Sequence, residues 1–222
     1  MDLQPIAHFR SPFTSKFGIP KQSGLVEELR GEIVFEPAFR IADYLRGIEE
    51  FDYLWLIWEF SANPHKAVSP VVRPTVLRGN ERVGVFATRS PFRPNPLGLS
   101  SVKIESVEWE SARGPIIHVL GADLMDGTPI FDIKPYIVYA DSHADARSGF
   151  VDRRQWPKLQ VVLPDELHDV FSEEQLKALR HTLELDPRPH YQNDPQKVYG
   201  MPFEGRDIHF RVSDGVLTVL PS

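Results

Sequence analysis

The stretch Ala87-Thr88-Arg89-Ser90-Pro91-Phe92-Arg93-Pro94-Asn95-Pro96-Leu97-Gly98-Leu99-Ser100 concentrates residue types able to grip an anion on a stiff support. Pro91, Pro94 and Pro96 fix φ and remove backbone donors, so a rigid loop leaving a strand is expected here. Arg89 and Arg93 are then presented from a backbone that loses little entropy on binding. A guanidinium on such a support suits a carboxylate or a phosphate, because two of its N–H donors engage two oxygens together. The same text also describes a proline-rich turn whose arginines make internal ion pairs; stiffness and basicity together favour a binding role.

A second stretch, Asp123-Leu124-Met125-Asp126-Gly127-Thr128-Pro129-Ile130-Phe131-Asp132-Ile133-Lys134-Pro135-Tyr136, is rich in carboxylates. Asp126-Gly127 is a tight-turn signal, and Ile130, Ile133 and Tyr136 belong to the strand that follows. Asp123, Asp126 and Asp132 have the chemistry to receive hydroxyls or an ammonium, or to take a proton. Spacing alone equally makes Asp126 a turn former and Asp132 with Lys134 an exposed pair. Two polar loops complete the set: Gly18–Gly24, and Ser61–Lys66 after the aromatic run Tyr53–Phe60. Each alone is more often a connector, and a loop histidine such as His65 is usually just solvated.

Several chemistries are excluded. The 222 residues contain no cysteine, which removes disulfides, thiolate metal sites and a thiol nucleophile. There is no GxxxxGKS/T loop, no GxGxxG after a strand, no HExxH and no Cys/His cluster. The alternating strands and helices of a Rossmann methyltransferase are missing as well. Any cofactor must be held by another architecture, and no metal is expected. No apolar run is long enough to span a bilayer, and the N-terminus lacks signal-peptide features. A soluble, cytoplasmic protein with no membrane partner is the expectation.

The net charge of −6 argues against a general nucleic-acid binder, but its distribution is uneven. Residues 66–103 carry Lys66, Arg73, Arg78, Arg82, Arg89, Arg93 and Lys103 against Glu81, a local balance of +6. Such a segment can bind a polyanion locally without general stickiness. Charge alone fits a solvated loop, or pairing with surrounding acids, at least as well.

The elements that must position these residues are mostly short strands separated by proline, glycine and asparagine signals. Ile33–Phe35, Tyr53–Trp58, Val83–Ala87, Ser101–Val107, Ile116–Gly121 and Ile130–Val138 have the β-branched and aromatic content of a pleated, half-buried surface. Together they read as a closed or partly open antiparallel barrel, with a short helix at Phe39–Leu45. Pattern is lost over Asp141–Val151, which reads as a linker. Ser172 followed by Gln175 is a capping box opening a helix to about Leu185, and Ser213-Asp214-Gly215 joins two strands, Ile208–Val212 and Val216–Leu220. The expected fold is therefore mainly β: an antiparallel barrel, closed or partly open, over 1–150 and a small α+β unit over 151–222.

Together these stretches resemble the TsaA/TrmO (YaeB-like) family of S-adenosylmethionine-dependent methyltransferases. The resemblance rests on Phe17–Gly24, the loop 87–100 and the run 123–136. It extends to Asp186-Pro187-Arg188-Pro189, Tyr191-Gln192 and Tyr199-Gly200-Met201 of the C-terminal unit. It implies a homodimer whose single-sheet antiparallel β-barrel holds S-adenosylmethionine partly between subunits. Its substrate would be N6 of threonylcarbamoyladenosine at position 37, in the anticodon loop of threonine tRNAs. Matched by motif, the cofactor contacts would be Pro20, Lys21, Gln22, His65, Lys66, Arg89, Leu99, Asp123, Leu124, Met125 and Asp126. Arg89 or Lys66 would hold the cofactor carboxylate, and Asp123 or Asp126 its ammonium or ribose hydroxyls. Leu99, Leu124 and Met125 would touch the adenine. Arg93 and Asn95 remain for RNA, with Arg93 on phosphates. On that substrate N6 is ureido-like, so proton removal helps; Asp126 and Asp132 are the candidate bases and Tyr136 an orienting partner. Two other readings stay open: an RNA- or nucleotide-binding module without catalysis, and a small-substrate methyltransferase on the same barrel.

Overall fold

The computed structural model describes residues 2–63, 69–74, 81–153, 157–189 and 194–221. The first strands in chain order are β1 (Ala7–Arg10), β2 (Arg30–Phe35), β3 (Tyr53–Glu59), β4 (Val71–Val72), β5 (Val83–Gly84), β6 (Leu97–Glu108), β7 (Ile116–Leu120) and β8 (Pro129–Pro135). β4 and β5 pair with each other. The other six pair antiparallel in the order β1-β2-β7-β6-β3-β8, and β1 against β8 closes them into a barrel.

Alternation explains the inside of this ring. In β3 every second residue, Leu54, Leu56 and Trp58, is buried, while Tyr53, Trp55 and Ile57 face outward. The interior is completed by Ala7, Phe9, Ile33, Phe35, Val102, Ile117, Val119, Leu124 and Ile130. Each large side chain so buried is worth roughly 1.5–3 kcal/mol relative to exposure. Two glycines make room for rings: a Cβ on Gly31 would lie 2.2 Å from Phe9, and one on Gly98 would lie 2.2 Å from Trp58.

After the barrel come the one-turn helix α1 (Val138–Asp141), β9 (Gln160–Val162), α2 (Glu173–Glu184), β10 (Tyr199–Phe203), β11 (Arg206–Ser213) and β12 (Val216–Val219). The second sheet runs β10-β11-β12-β9, with β9 parallel to β12. The expected capping box is present: Gln175 N–H reaches the Ser172 hydroxyl and the Gln175 side chain reaches back to Ser172 N–H. α2 buries Leu176, Leu179 and Leu183 against this sheet. The β11–β12 hairpin turns at Asp214 and Gly215, φ 51° and 78°, as the Asp-Gly signal requires.

The second core is not made of C-terminal residues alone. Phe13, Val26 and Leu29, from the connection between β1 and β2, are buried in it, with Phe17 and Ile19 packed alongside. Segment 11–29 therefore joins two cores, one on each side of the expected boundary near residue 150.

The mainly antiparallel β reading with few helices is met, and two local expectations are corrected. Phe39–Leu45 forms 3-10 turns at Pro37–Phe39 and Ala42–Leu45 in place of one α-helix, since so short a run cannot nucleate one. Val83–Ala87 is strand only to Gly84; Val85 N–H then bonds to Pro70 O, and the chain turns into a 3-10 helix. Among the described residues no helix is long and apolar enough to cross a membrane.

Candidate functional site

At one side of the barrel lies a cavity of about 900 Å³. Four segments wall it: Ile19–Gln22 of the first polar loop, Trp58–Asn63 at the end of β3, the proline-rich loop from Thr88 through Leu99, and Asp123, Met125 and Thr128 before β8.

The proline-rich loop is stiff for two reasons. Its prolines remove donors and fix φ, and the N–H groups of Ser90, Phe92, Arg93 and Leu97 are used inside the loop. Thr88 Oγ1 donates to Val85 O at 2.8 Å and accepts from Ser90 N–H at 3.2 Å; Phe92 N–H donates to Ser90 Oγ at 3.2 Å. Arg93 Nη1 donates to Thr88 O at 3.0 Å, so this guanidinium braces its own loop. Phe60 N–H then ties β3 to Pro96 O at 2.8 Å. Arg89 projects from this frame and donates to the Gln22 side-chain oxygen, joining the loop to the first polar loop.

That first loop is positioned by the C-terminal unit. Phe17 stacks on Tyr199 and Phe210, each with ring centroids 6.4 Å away. Gly18, at φ +97°, passes so close to Met201 that a Cβ would lie 2.2 Å from its sulfur. At the other end Gly24 N–H bonds to Gly121 O at 2.8 Å. Lys16 Nζ reaches Ala62 O at 3.1 Å and Asn63 Oδ1 at 2.8 Å, which holds the loop against the β3 end. Burial pushes the Lys21 ammonium below its usual range, and the charge of Asp186 in the C-terminal unit opposes that.

Asp123 is where these segments meet. Its carboxylate accepts from Ser100 Oγ at 2.5 Å and from the backbone N–H groups of Ser23 and Asp123 itself, with the Arg89 charge nearby. Burial nevertheless lifts its pKa above the usual aspartate value, against the pull of those partners.

Pro20, Lys21, Gln22, Arg89, Arg93, Asn95, Leu99, Asp123 and Met125 thus stand together on one cavity wall. His65 and Lys66 lie outside the described residues. The remaining expected positions lie off that wall. Leu124 is buried in the barrel core, because successive residues point to opposite sides and its neighbours take the cavity side. Asp126 is absent from the wall: its carboxylate accepts Ser11 N–H at 3.1 Å and pairs with Arg10 at 3.4 Å, because the turn after Met125 directs it toward β1. Asp132 lies beyond the cavity on β8, pairing with Lys134 at 2.9 Å. Tyr136 packs beside Tyr53 and Trp55, at 6.2 and 5.6 Å between centroids. Neither of the expected bases opens onto the cavity, and neither does their orienting partner.

Trp58, Glu59, Phe60, Thr128 and Ser100 were not anticipated, although strand parity contains a signal for two of them. Trp58 shares the inward phase of Leu54 and Leu56, and Ser100 shares that of Gly98 and Val102, a hydroxyl where an apolar side chain is the norm.

The family model described as the tRNA-methyltransferase O N-terminal domain matches residues 8–142, and the TrmO C-terminal domain model matches residues 157–221. The chain is similar to the tRNA (adenine(37)-N6)-methyltransferase of Escherichia coli K12, 36% identical over 225 residues, covering 95% of this chain and 93% of that one. A protein of the same name from Eikenella corrodens is 41% identical over 170 residues, 76% of this chain and 95% of that one. Among solved structures, the crystal structure of TrmO from Pseudomonas aeruginosa matches with a TM-score of 0.79 at 31% identity, covering 99% of this chain and 96% of the other.

Proposed function

The chain belongs to the tRNA-methyltransferase O family, and we propose that it transfers a methyl group from S-adenosylmethionine to N6 of the adenine at position 37 of tRNA. The substrate we assign is threonylcarbamoyladenosine in threonine tRNAs. What supports this reading is the convergence of Arg89, Lys21, Asp123 and the apolar Leu97, Leu99 and Met125 on one cavity. That set fits an amino-acid nucleoside: a cationic pair for its carboxylate, an acceptor for its ammonium or ribose hydroxyls, and apolar faces for its base.

When bound, the donor supplies a methyl group on an electron-poor sulfonium. The protein's part is alignment, and loops already ordered by prolines and internal hydrogen bonds perform it with little entropy to lose. Arg89, held by Gln22, fixes the carboxylate end of the donor. Trp58 and Phe60, whose rings lie 4.4 Å apart, form an apolar floor that limits water. The proton on N6 has to leave; with Asp123 engaged by its neighbours, Glu59 is the wall carboxylate left to take it. Arg93 and Asn95 sit on the same wall, where the unused donors of Arg93 meet tRNA phosphates. Exposed anticodon-loop bases supply the sequence choice. Exposed Phe86, Phe92, Leu97 and Leu99 beside the cavity support a homodimer in which a second copy covers its mouth. A tRNA substrate also assigns the protein to the cytoplasm.

Incubation of the purified protein with labelled S-adenosylmethionine and total tRNA, followed by nucleoside mass spectrometry, tests the assignment. The expected product is a labelled methyl on threonylcarbamoyladenosine. Label on a different nucleoside, or none while S-adenosylhomocysteine still binds, overturns it.

A further inference from the structure

Behind Asp123 the barrel wall contains a chain of polar side chains. β3 and β6 pair so that Trp58 faces Gly98 and Leu56 faces Ser100. Because Gly98 has no side chain, the Trp58 indole lies across β6 where a Cβ would meet its ring at 2.2 Å. From there Trp58 Nε1 donates to Ser100 Oγ at 3.0 Å, and Ser100 Oγ contacts Asp123 Oδ1 at 2.5 Å. Ser100 is only 1% exposed and Trp58 6%, so the bond between them is shielded from water, while the Ser100–Asp123 bond is part-buried at the cavity edge.

The direction of this chain follows from chemistry. An indole N–H can only donate, so it occupies an acceptor position on the Ser100 oxygen, and the single hydroxyl proton must go to Asp123. A serine that is otherwise free to rotate is thereby fixed as a donor toward one carboxylate oxygen. Asp123 in turn is fixed as an acceptor; its carboxylate also accepts the N–H groups of Ser23 and of Asp123 itself, and it lines the cavity. An unpaired hydroxyl buried at this depth would be unfavourable, and so would an indole N–H without a partner.

We infer that Ser100 and Trp58 are positioning residues for binding of the methyl donor. Through the path Trp58 N–H to Ser100 O–H to Asp123, they set the charge and orientation of the carboxylate that receives the donor's ammonium or ribose hydroxyls. This rests on the proposed donor site. It assigns Ser100 and Trp58 to donor affinity, not to methyl transfer: neither touches the reacting atoms. Gly98 is the third member, since its missing side chain sets the indole position. The charge acting on Asp123 is that of Arg89 on the proline-rich loop; Lys16 and Lys21 of the first loop, Glu59 at the end of β3 and Arg93 are the other charged side chains lining the same cavity.

The test compares wild type with Ser100→Ala, Ser100→Thr and Trp58→Phe, measuring S-adenosylhomocysteine affinity by calorimetry from pH 5 to 8, and kcat and KM with tRNA saturating. Ser100→Ala is expected to weaken affinity about tenfold, the scale of a hydrogen bond to a charged group. Its KM for the donor rises in step while kcat stays within about twofold. Losing a bond to the charged form raises the Asp123 pKa, so the acid limb of the affinity profile moves to higher pH in Ser100→Ala. Ser100→Thr, which restores the hydroxyl, returns both quantities toward wild type. Trp58→Phe, which keeps an aromatic ring but removes the N–H with the five-membered half of the indole, shifts them in the Ser100→Ala direction by a smaller amount. If Ser100→Ala fails to fold, Ser100→Thr and Trp58→Phe carry the comparison. Wild-type affinity and an unmoved acid limb in Trp58→Phe and any folded Ser100→Ala overturn the inference and leave the donor site standing. No binding by wild type overturns the donor site itself.

Discussion

Arg89 and Asp132 both came out of the sequence as site residues, and the structure gives them opposite surroundings. Arg89 lines the cavity and is braced by Gln22. Asp132 pairs with Lys134 at 2.9 Å in an exposed setting where an ion pair contributes little. Arg89→Ala is therefore expected to weaken donor binding by about 10- to 100-fold, while Asp132→Asn keeps kcat and KM within about twofold. Glu59→Gln separates the chemistry from binding, with a lower kcat at saturating donor and little change in donor KM. Steady-state kinetics on the three variants check these expectations together. The sequence located the loops but not the facing of each side chain. Met125 and Asp126 are adjacent, yet one lines the cavity and the other reaches Ser11 and Arg10, because the turn between them depends on contacts with β1. Ser100 escaped notice for a related reason: an inward serine on a strand gains meaning only once Trp58 and Asp123 flank it.

The first polar loop carries Pro20, Lys21 and Gln22, but the packing that shapes it comes from β10 and β11. Gly18→Ala puts a Cβ into Met201 at a φ of +97°, which only glycine adopts freely. A loss of ~1–2 kcal/mol in unfolding free energy is expected, together with weaker binding of S-adenosylhomocysteine. Wild-type values of both would show that the loop is shaped without this contact. A second link is ionic. Glu28 accepts Lys177 Nζ and His181 Nδ1, each at 2.8 Å, which fastens α2 to segment 11–29. Burial works to raise the Glu28 pKa, but hydrogen bonds from Lys177 and His181 outweigh it and lower it from 4.5 to about 2. A lowered carboxylate pKa gives stability that is present above 4.5 and lost as pH falls from there toward 2. Thermal denaturation over that window should show the loss, and Glu28→Gln should lack that part of it. Among elements, α2 and the β11–β12 hairpin were legible because their signals are local, a capping box and an Asp-Gly turn. β1, β9 and β10 were not, since each is short and takes its identity from a partner distant in sequence.

At the scale of the molecule, an acidic protein carries a cationic segment, and that segment includes the stiff loop of the cavity. A local field of this kind draws in a polyanion while leaving the remaining surface inert to nucleic acid. Arg93→Ala is expected to weaken tRNA binding across sequences and to lower the salt slope of log K by about 1, measured by filter binding from low to moderate salt. An unchanged slope would confine Arg93 to bracing Thr88. The absence of a glycine-rich nucleotide loop was legible at once from the sequence. The integration of the two cores through Phe13, Val26 and Leu29 was not, because those residues read as loop until the second sheet is in place around them. The proposed activity requires the methyl donor to occupy the cavity between the first polar loop, the proline-rich loop and Asp123. A crystal structure grown with S-adenosylhomocysteine measures this directly. The expected result is ligand density with its carboxylate at Arg89 or Lys21 and a donor group on Asp123; density elsewhere, with those side chains unliganded, would contradict it.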